Sequence, residues 1–216
     1  EIPHLVNPGY VASANQRVVY GYEFYLADSQ YMGDPYRATE IYRQLDDAVA
    51  AGRSIDTGSM RELQHDRYSV HAEGFVPQIL DARDEMTTRS RRFARELDGW
   101  DRVMRAESRA ALIYAVWLDQ YRDVVFGDEF SAAGLEDGYY PGEDWPLQHL
   151  DPDSRWFDRD GEAGTQTRAD AIASAMDRAV EVIESGGHET YGDYHQLSIT
   201  HPFGLEFLNY PELPAD

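Results

Sequence analysis

Residues 106–126 constrain the fold more than any other stretch of the chain. Ala110 to Leu118 and then Tyr121, Val124, Val125 and Phe126 leave almost no polar stripe. A helix that is apolar nearly all round must be covered on several sides. The spacing predicts a central buried helix with other elements laid against it, and it puts Val116 and Leu118 among the core positions. No apolar run approaches the roughly 18 residues that a membrane span needs.

Amphipathic segments flank this run. Residues 36–51 place Ala38, Ile41, Tyr42, Leu45, Ala48 and Val49 on one helical face, and Gly52 ends the pattern. Ser59-x-x-Glu62 reads as the capping box of a short helix. Residues 66–83 carry another apolar stripe, which Pro77 should kink. Residues 84–97 are strongly charged, with Phe93 and Leu97 turned inward as on a surface helix. Residues 167–185 repeat the amphipathic pattern, with Thr167 as candidate N-cap and Gly186-Gly187 as the stop.

The rest is irregular or extended. Residues 127–166 are rich in Gly, Asp, Pro, Trp and Tyr and read as a long loop with one short helix near 145–150. Residues 195–200 alternate as a strand does, and Pro202 ends them. Asn7-Pro8-Gly9 makes a turn, residues 10–14 follow as a short strand, and Asn15 sits at its end. The fold class is therefore mainly α with a few short β-strands. The chain reads as a single segment, 1–216. It comprises strand and loop (1–35), helices (36–126), the long loop (127–166), and a helix with a terminal strand (167–216).

Charge narrows the setting. Forty acidic residues face nineteen basic ones, for a formal charge of −21, and every one of those nineteen is Arg. Self-repulsion of this size destabilises a compact state at low salt. At about 1 M salt the Debye length falls to about 3 Å and the repulsion is screened. Acidic excess without Lys is the pattern of a protein adapted to high salt. Aromatic content of 12% and clear periodicity argue against disorder. The sign of the charge disfavours nucleic acid and an anionic membrane surface as partners. With no Cys there is neither a disulfide framework nor a thiolate nucleophile.

Most chemical motifs fail. His65 and His71 are six residues apart and do not share a helical face. Asp158-Arg159-Asp160-Gly161 has Trp156 where an EF-hand needs Asp. There is no His-Glu-x-x-His, no phosphate-binding Gly loop and no dinucleotide fingerprint. Arg91-Arg92 and its neighbours read as a local basic spot and an ion-pairing surface. The pair with catalytic potential is Asn15 at a strand end and Arg37 at a helix start. An Asn amide can donate an N–H to a developing oxyanion, and an Arg can hold that Asn or a substrate carboxylate in place.

The residues around this pair carry a resemblance. Gly9-Tyr10-Val11-Ala12-x-x-Asn15, followed by Tyr36-Arg37-Ala38-x-Glu40-Ile41, resembles the penicillin acylase family of N-terminal-nucleophile hydrolases. Further matches follow in family order. They are Leu63-Gln64-x-Asp66-x-Tyr68-Ser69, Leu97-Asp98-Gly99-Trp100-Asp101 and Ser108-Arg109-Ala110-Ala111 leading to Trp117-Leu118. Tyr191-Gly192-Asp193-Tyr194-His195 and Thr200-His201-Pro202-Phe203-Gly204 complete the series. Together they span nearly all 216 residues.

The resemblance implies a fragment of an αββα sandwich and an enzyme that cleaves a linear amide to a carboxylic acid and an amine. It assigns Asn15 as a side-chain donor to the oxyanion hole and Arg37 as the residue that fixes the active-site geometry. Gln16 stands where many members have a second Asn, and no catalytic role is carried to it. The family nucleophile is a Ser, sometimes Thr or Cys, exposed by self-cleavage, whose own α-amino group is the base. No such start signature occurs here, so the chain is expected to be a later part of a β subunit and inactive alone. Its partners would be the remaining α and β portions of the same precursor and a small-molecule acyl amide. Residues 127–166 would serve as a cover, or as a rim of the acyl pocket.

An isolated segment would leave strand edges and apolar surface uncovered, and self-association is expected of it. No cofactor is required for this chemistry. A structural calcium is compatible with the full-length protein, but Leu26 stands at the nearest family ligand position and Asp28 is out of register, so no metal residue is assigned. Family members are usually exported. The alternatives are an N-acyl-homoserine-lactone acylase on the same fold and a non-enzymatic acidic helical module. A self-cleavage site encoded immediately upstream would separate the enzymes from the latter.

Overall fold

Pro35 starts the first helix, α1 (Pro35–Ala50), at a position where its missing N–H is no loss. The computed structural model describes residues 6–16, 35–135, 137–142, 150–158, 165–205, 209–210 and 213–214. The chain divides into two compact units, Glu1–Val70 and His71–Asp216.

In the first unit, α1 buries Ala38 and Leu45, two turns apart on one face. Gly52, with φ 61°, follows the helix, and its N–H donates to the Val49 carbonyl at 3.0 Å. The second helix, α2 (Thr57–Gln64), corrects the expected cap. Its N-cap is Asp56, whose carboxylate accepts from Ser59 N–H, while Ser59 Oγ accepts from Asp56 N–H, both at 2.9 Å. Ser59 is thus the third helical residue of the box and Glu62 has no part in it. A carboxylate before the first turn also meets the positive end of the helix dipole.

The strand expected over residues 10–14 is absent from the described residues. A strand needs a ladder partner. Here the main-chain groups of this stretch are taken by side chains of α1 and by Gln16.

In the second unit, α3 (Val70–Asp81) buries Ala72, Phe75, Val76 and Ile79. It begins later than the apolar stripe suggests, because Asp66 Oδ1 accepts from Tyr68 N–H at 3.2 Å and makes a turn there. Pro77 sits inside α3 on its exposed side. A 3-10 turn, Ala82–Glu85, leads to α4 (Thr88–Arg95). Phe93 and Leu97 are buried, as their spacing predicts, although the helix itself stops at Arg95. The basic spot at Arg91-Arg92 and its neighbours pairs through Arg89, which meets Glu184, whereas Arg91 itself serves main-chain carbonyls. It donates to the carbonyls of Arg83 at 2.9 Å and Met86 at 3.1 Å, and so closes the 3-10 turn.

The apolar run becomes α5 (Arg109–Ala132), 24 residues capped by Ser108, whose Oγ accepts from Ala111 N–H at 3.1 Å. At 1.5 Å per residue it is about 36 Å long. Val116 and Trp117 are fully buried, while Leu118 is partly exposed. The helix continues six residues into the stretch expected to be loop, because Phe130 extends the apolar face. Its ring meets Phe126 at 5.9 Å and Tyr140 at 5.2 Å. Short 3-10 turns at Asp137–Tyr139 and Arg155–Phe157 cover this end. The short helix expected near 145–150 falls almost wholly on residues outside the described set.

The next helix, α6 (Arg168–Gly186), lies against α5 and α4. Thr167 caps it in a box with Asp170, and Gly187 ends it in the left-handed region with φ 66°. Trp117 Nε1 donates to the Ile172 carbonyl at 3.1 Å, which satisfies the indole inside the core. Ser90, buried on α4, donates to Asp177 of α6, and Thr87 donates to the same oxygen at 2.8 Å.

A single turn, α7 (Tyr191–Tyr194), follows. Gly192 allows a close approach: its N–H donates to the Ala106 carbonyl at 2.7 Å, and a Cβ there would stand 2.8 Å from Pro214 Cβ. The strand expected over 195–200 shrinks to β1 (Gln196–Leu197), paired antiparallel with β2 (Leu213–Pro214). The fold is mainly helical.

Candidate active site

Arg37 stands in the first turn of α1, where a cation faces the positive end of the helix dipole. The position is unfavourable for the helix alone. What holds the side chain there is the turn at residues 14 and 15. Arg37 Nη2 donates to Asn15 Oδ1 at 2.6 Å and to the Ala14 carbonyl at 3.0 Å. A residue that breaks a local rule for a specific contact marks a constrained place in the chain.

Asn15 has φ 62°, in the left-handed region that Asn tolerates better than most L-residues. A guanidinium only donates hydrogen bonds, so the carboxamide must turn its oxygen toward Arg37. The –NH2 end then faces the other way, and among the described residues no hydrogen bond runs from it. Both side chains are exposed, while Ala14 beneath them is buried.

The same stretch is tied to α1 a second time. Tyr42 donates its hydroxyl proton to the Ala12 carbonyl at 2.8 Å and accepts from Gln16 Nε2 at 3.1 Å. Gln16 Oε1 accepts from Ala14 N–H at 2.6 Å. The Tyr10 ring lies 5.8 Å from that of Tyr42, and its hydroxyl donates to Asp46 Oδ1 at 2.7 Å. That hydrogen bond favours the protonated phenol and pushes the Tyr10 pKa up to about 12.

The arrangement presents an oriented, neutral N–H donor beside a fixed cation. That combination suits an oxygen on which negative charge develops. Asn15 and Arg37, singled out in the sequence, are thus in direct contact. Tyr42 and Gln16 escape the sequence reading. Tyr42 counts there as one more member of an apolar face, and Gln16 as a departure from a pattern. Their signal is spacing: a hydroxyl five residues beyond the Arg, and an amide directly after the Asn.

The remaining candidates carry no such geometry. His65 is the C-cap of α2, donating its backbone N–H to Arg61 and Glu62 carbonyls. His71 Nδ1 lies 3.2 Å from Tyr114 Oη. Asp158 accepts from Gln166 N–H at 2.7 Å, and the rest of its loop lies outside the described residues, as do Leu26 and Asp28. Among the described residues no three His, Asp or Glu side chains stand together as a metal site.

Comparison with known proteins gives the family. The family model for penicillin amidase matches residues 1–216. The chain belongs to the penicillin amidase family, whose members are amidase-type hydrolases. No curated protein matches it.

Proposed function

We propose that the full-length protein hydrolyses linear N-acyl amides to a carboxylic acid and an amine, using an N-terminal Ser outside this chain. The Ser hydroxyl adds to the acyl carbonyl while its own α-amino group takes the proton. Asn15 donates an Nδ2–H to the resulting oxyanion. Collapse expels the amine, which leaves with that proton, and water then frees the acid from the acyl-enzyme. Arg37 acts through Asn15, by holding Oδ1 and thereby aiming Nδ2. Penicillin-like amides and related acyl amides are the substrate class. The acidic, Lys-free composition supports a working environment of high salt.

The observation that carries this reading is the 2.6 Å bond from Arg37 to Asn15 Oδ1 in a chain of this family. One oxyanion donor is typically worth about 3 kcal/mol. Asn15→Ala in the complete, self-processed enzyme should therefore lower kcat on a chromogenic acyl-anilide about a hundredfold in multimolar KCl, with little change in Tm. Unaltered turnover refutes the assignment.

A further inference from the structure

We infer that Tyr42 and Gln16 are positioning residues for the amide donor at Asn15, forming a clamp that holds its backbone while Arg37 grips its carboxamide. This rests on the reading of Asn15 as an oxyanion donor.

A donor aimed at a reacting oxygen needs two constraints. Its side-chain torsion must be fixed, and so must the backbone that carries it. Arg37 supplies the first through Oδ1 and part of the second through the Ala14 carbonyl. A left-handed backbone at a non-Gly residue persists only where its surroundings over-determine it. No ladder does so here, because the described residues of this stretch form no strand.

The clamp fills that gap. Ala14 and Gln16 are the immediate neighbours of Asn15, and one hydrogen bond joins them across it, from Ala14 N–H to Gln16 Oε1 at 2.6 Å. Tyr42 ties this bridge to the helix, accepting from Gln16 Nε2 and donating to the Ala12 carbonyl.

The polarity of the clamp is self-consistent. Ala12 offers only a carbonyl oxygen, so the phenol must donate to it. The phenol oxygen is then left to accept, so Gln16 must present its –NH2 there and its oxygen to Ala14. A flipped Gln16 amide would set an N–H against an N–H. Tyr42 is anchored in turn by the Tyr10 ring, whose hydroxyl reaches Asp46 one helical turn on. Arg37, Tyr42 and Asp46 all belong to α1, so one rigid element carries every tether.

The test is a mutant cycle in the complete, self-processed enzyme, with rates normalised to titrated active sites. Tyr42→Phe removes one oxygen and keeps the ring; Gln16→Leu removes the bridge. Each should lower kcat roughly tenfold with KM changed by less than about twofold, because aim is lost and ground-state binding is not. Each effect should vanish in an Asn15→Ala background, since a clamp on an absent donor has nothing to position. Equal factors in both backgrounds overturn the inference, as does an unchanged kcat in the otherwise wild-type enzyme. If Asn15→Ala itself leaves kcat intact, the donor assignment has failed, and the inference falls with it for that separate reason.

Discussion

Arg37 and Asn15 meet guanidinium to carboxamide oxygen at 2.6 Å, and the contact decides which end of the amide faces outward. The same Nη2 also serves the Ala14 carbonyl. Lys carries the charge but lacks the planar fork and has a single, mobile nitrogen. Arg37→Lys in the complete enzyme should therefore lower kcat roughly tenfold or more and leave Tm within a few degrees. Steady-state kinetics with a thermal melt checks this. A fully active Lys variant would mean that charge alone suffices and the aim of the amide is set elsewhere.

The core of the second unit offers a graded comparison. Val116 is fully buried on α5, while Leu118, two residues on, is partly exposed. Val116→Ala should destabilise by about 2–4 kcal/mol, and Leu118→Ala by less, although it deletes more atoms. Urea titrations followed by far-UV circular dichroism give the order. A larger loss for Leu118→Ala would contradict the burial of the two positions.

Glu129, on the last turns of α5, should give the fold a pH dependence near neutrality. Burial, and then hydrogen bonding to the neighbouring Asp128, raise its pKa to about 7. Between about pH 4.5 and 7 the unfolded chain releases this proton and the folded chain keeps it. Stability from this group therefore falls as pH rises through that window, and the penalty is complete above it. Asp101, Asp193, Asp56 and Glu184 act in the opposite sense. Hydrogen bonds hold their pKa values down, so their contributions are lost only in acid. Glu129→Gln should raise stability at pH 8 and leave it nearly unchanged at pH 5. Urea midpoints for both proteins at both pH values measure it, and equal midpoints at pH 8 would count against a raised Glu129.

Net charge should make the fold salt-dependent. With a formal charge of −21, Tm should rise steeply between about 0.1 M and 2 M KCl as screening lengths shrink. NaCl should act much as KCl does, because the effect is screening. A flat Tm across that range would show that the charges are already neutralised by their own pairing.

Legibility in the sequence followed the physics of each element. The helix α6 is readable because apolar periodicity, a Thr before the first turn and a Gly after the last all agree locally, and α5 because its run is apolar nearly all round. Residues 10–14 were not, because β-propensity is realised only against a partner. The cap of α2 moved to Asp56 because Ser59 can serve either as cap or as third residue of a box, and only the preceding Asp decides between them. The extension of α5 to Ala132 depends on Phe130 meeting Tyr140, a contact made across a turn. At the site, the motif resemblance singled out Asn15 and Arg37. The tie from Tyr42 to Gln16 stayed hidden, because a Tyr on an amphipathic face reads as core until its hydroxyl is seen to have two partners.

All four tryptophans, at positions 100, 117, 145 and 156, fall within His71–Asp216, and Glu1–Val70 has none. Indole emission from this chain thus originates wholly within one unit. An unfolding curve recorded that way would follow the stacked pair Trp117 and Tyr121 as their packing dissolves. The turn that bears Asn15 has no indole within its own unit to report its loosening.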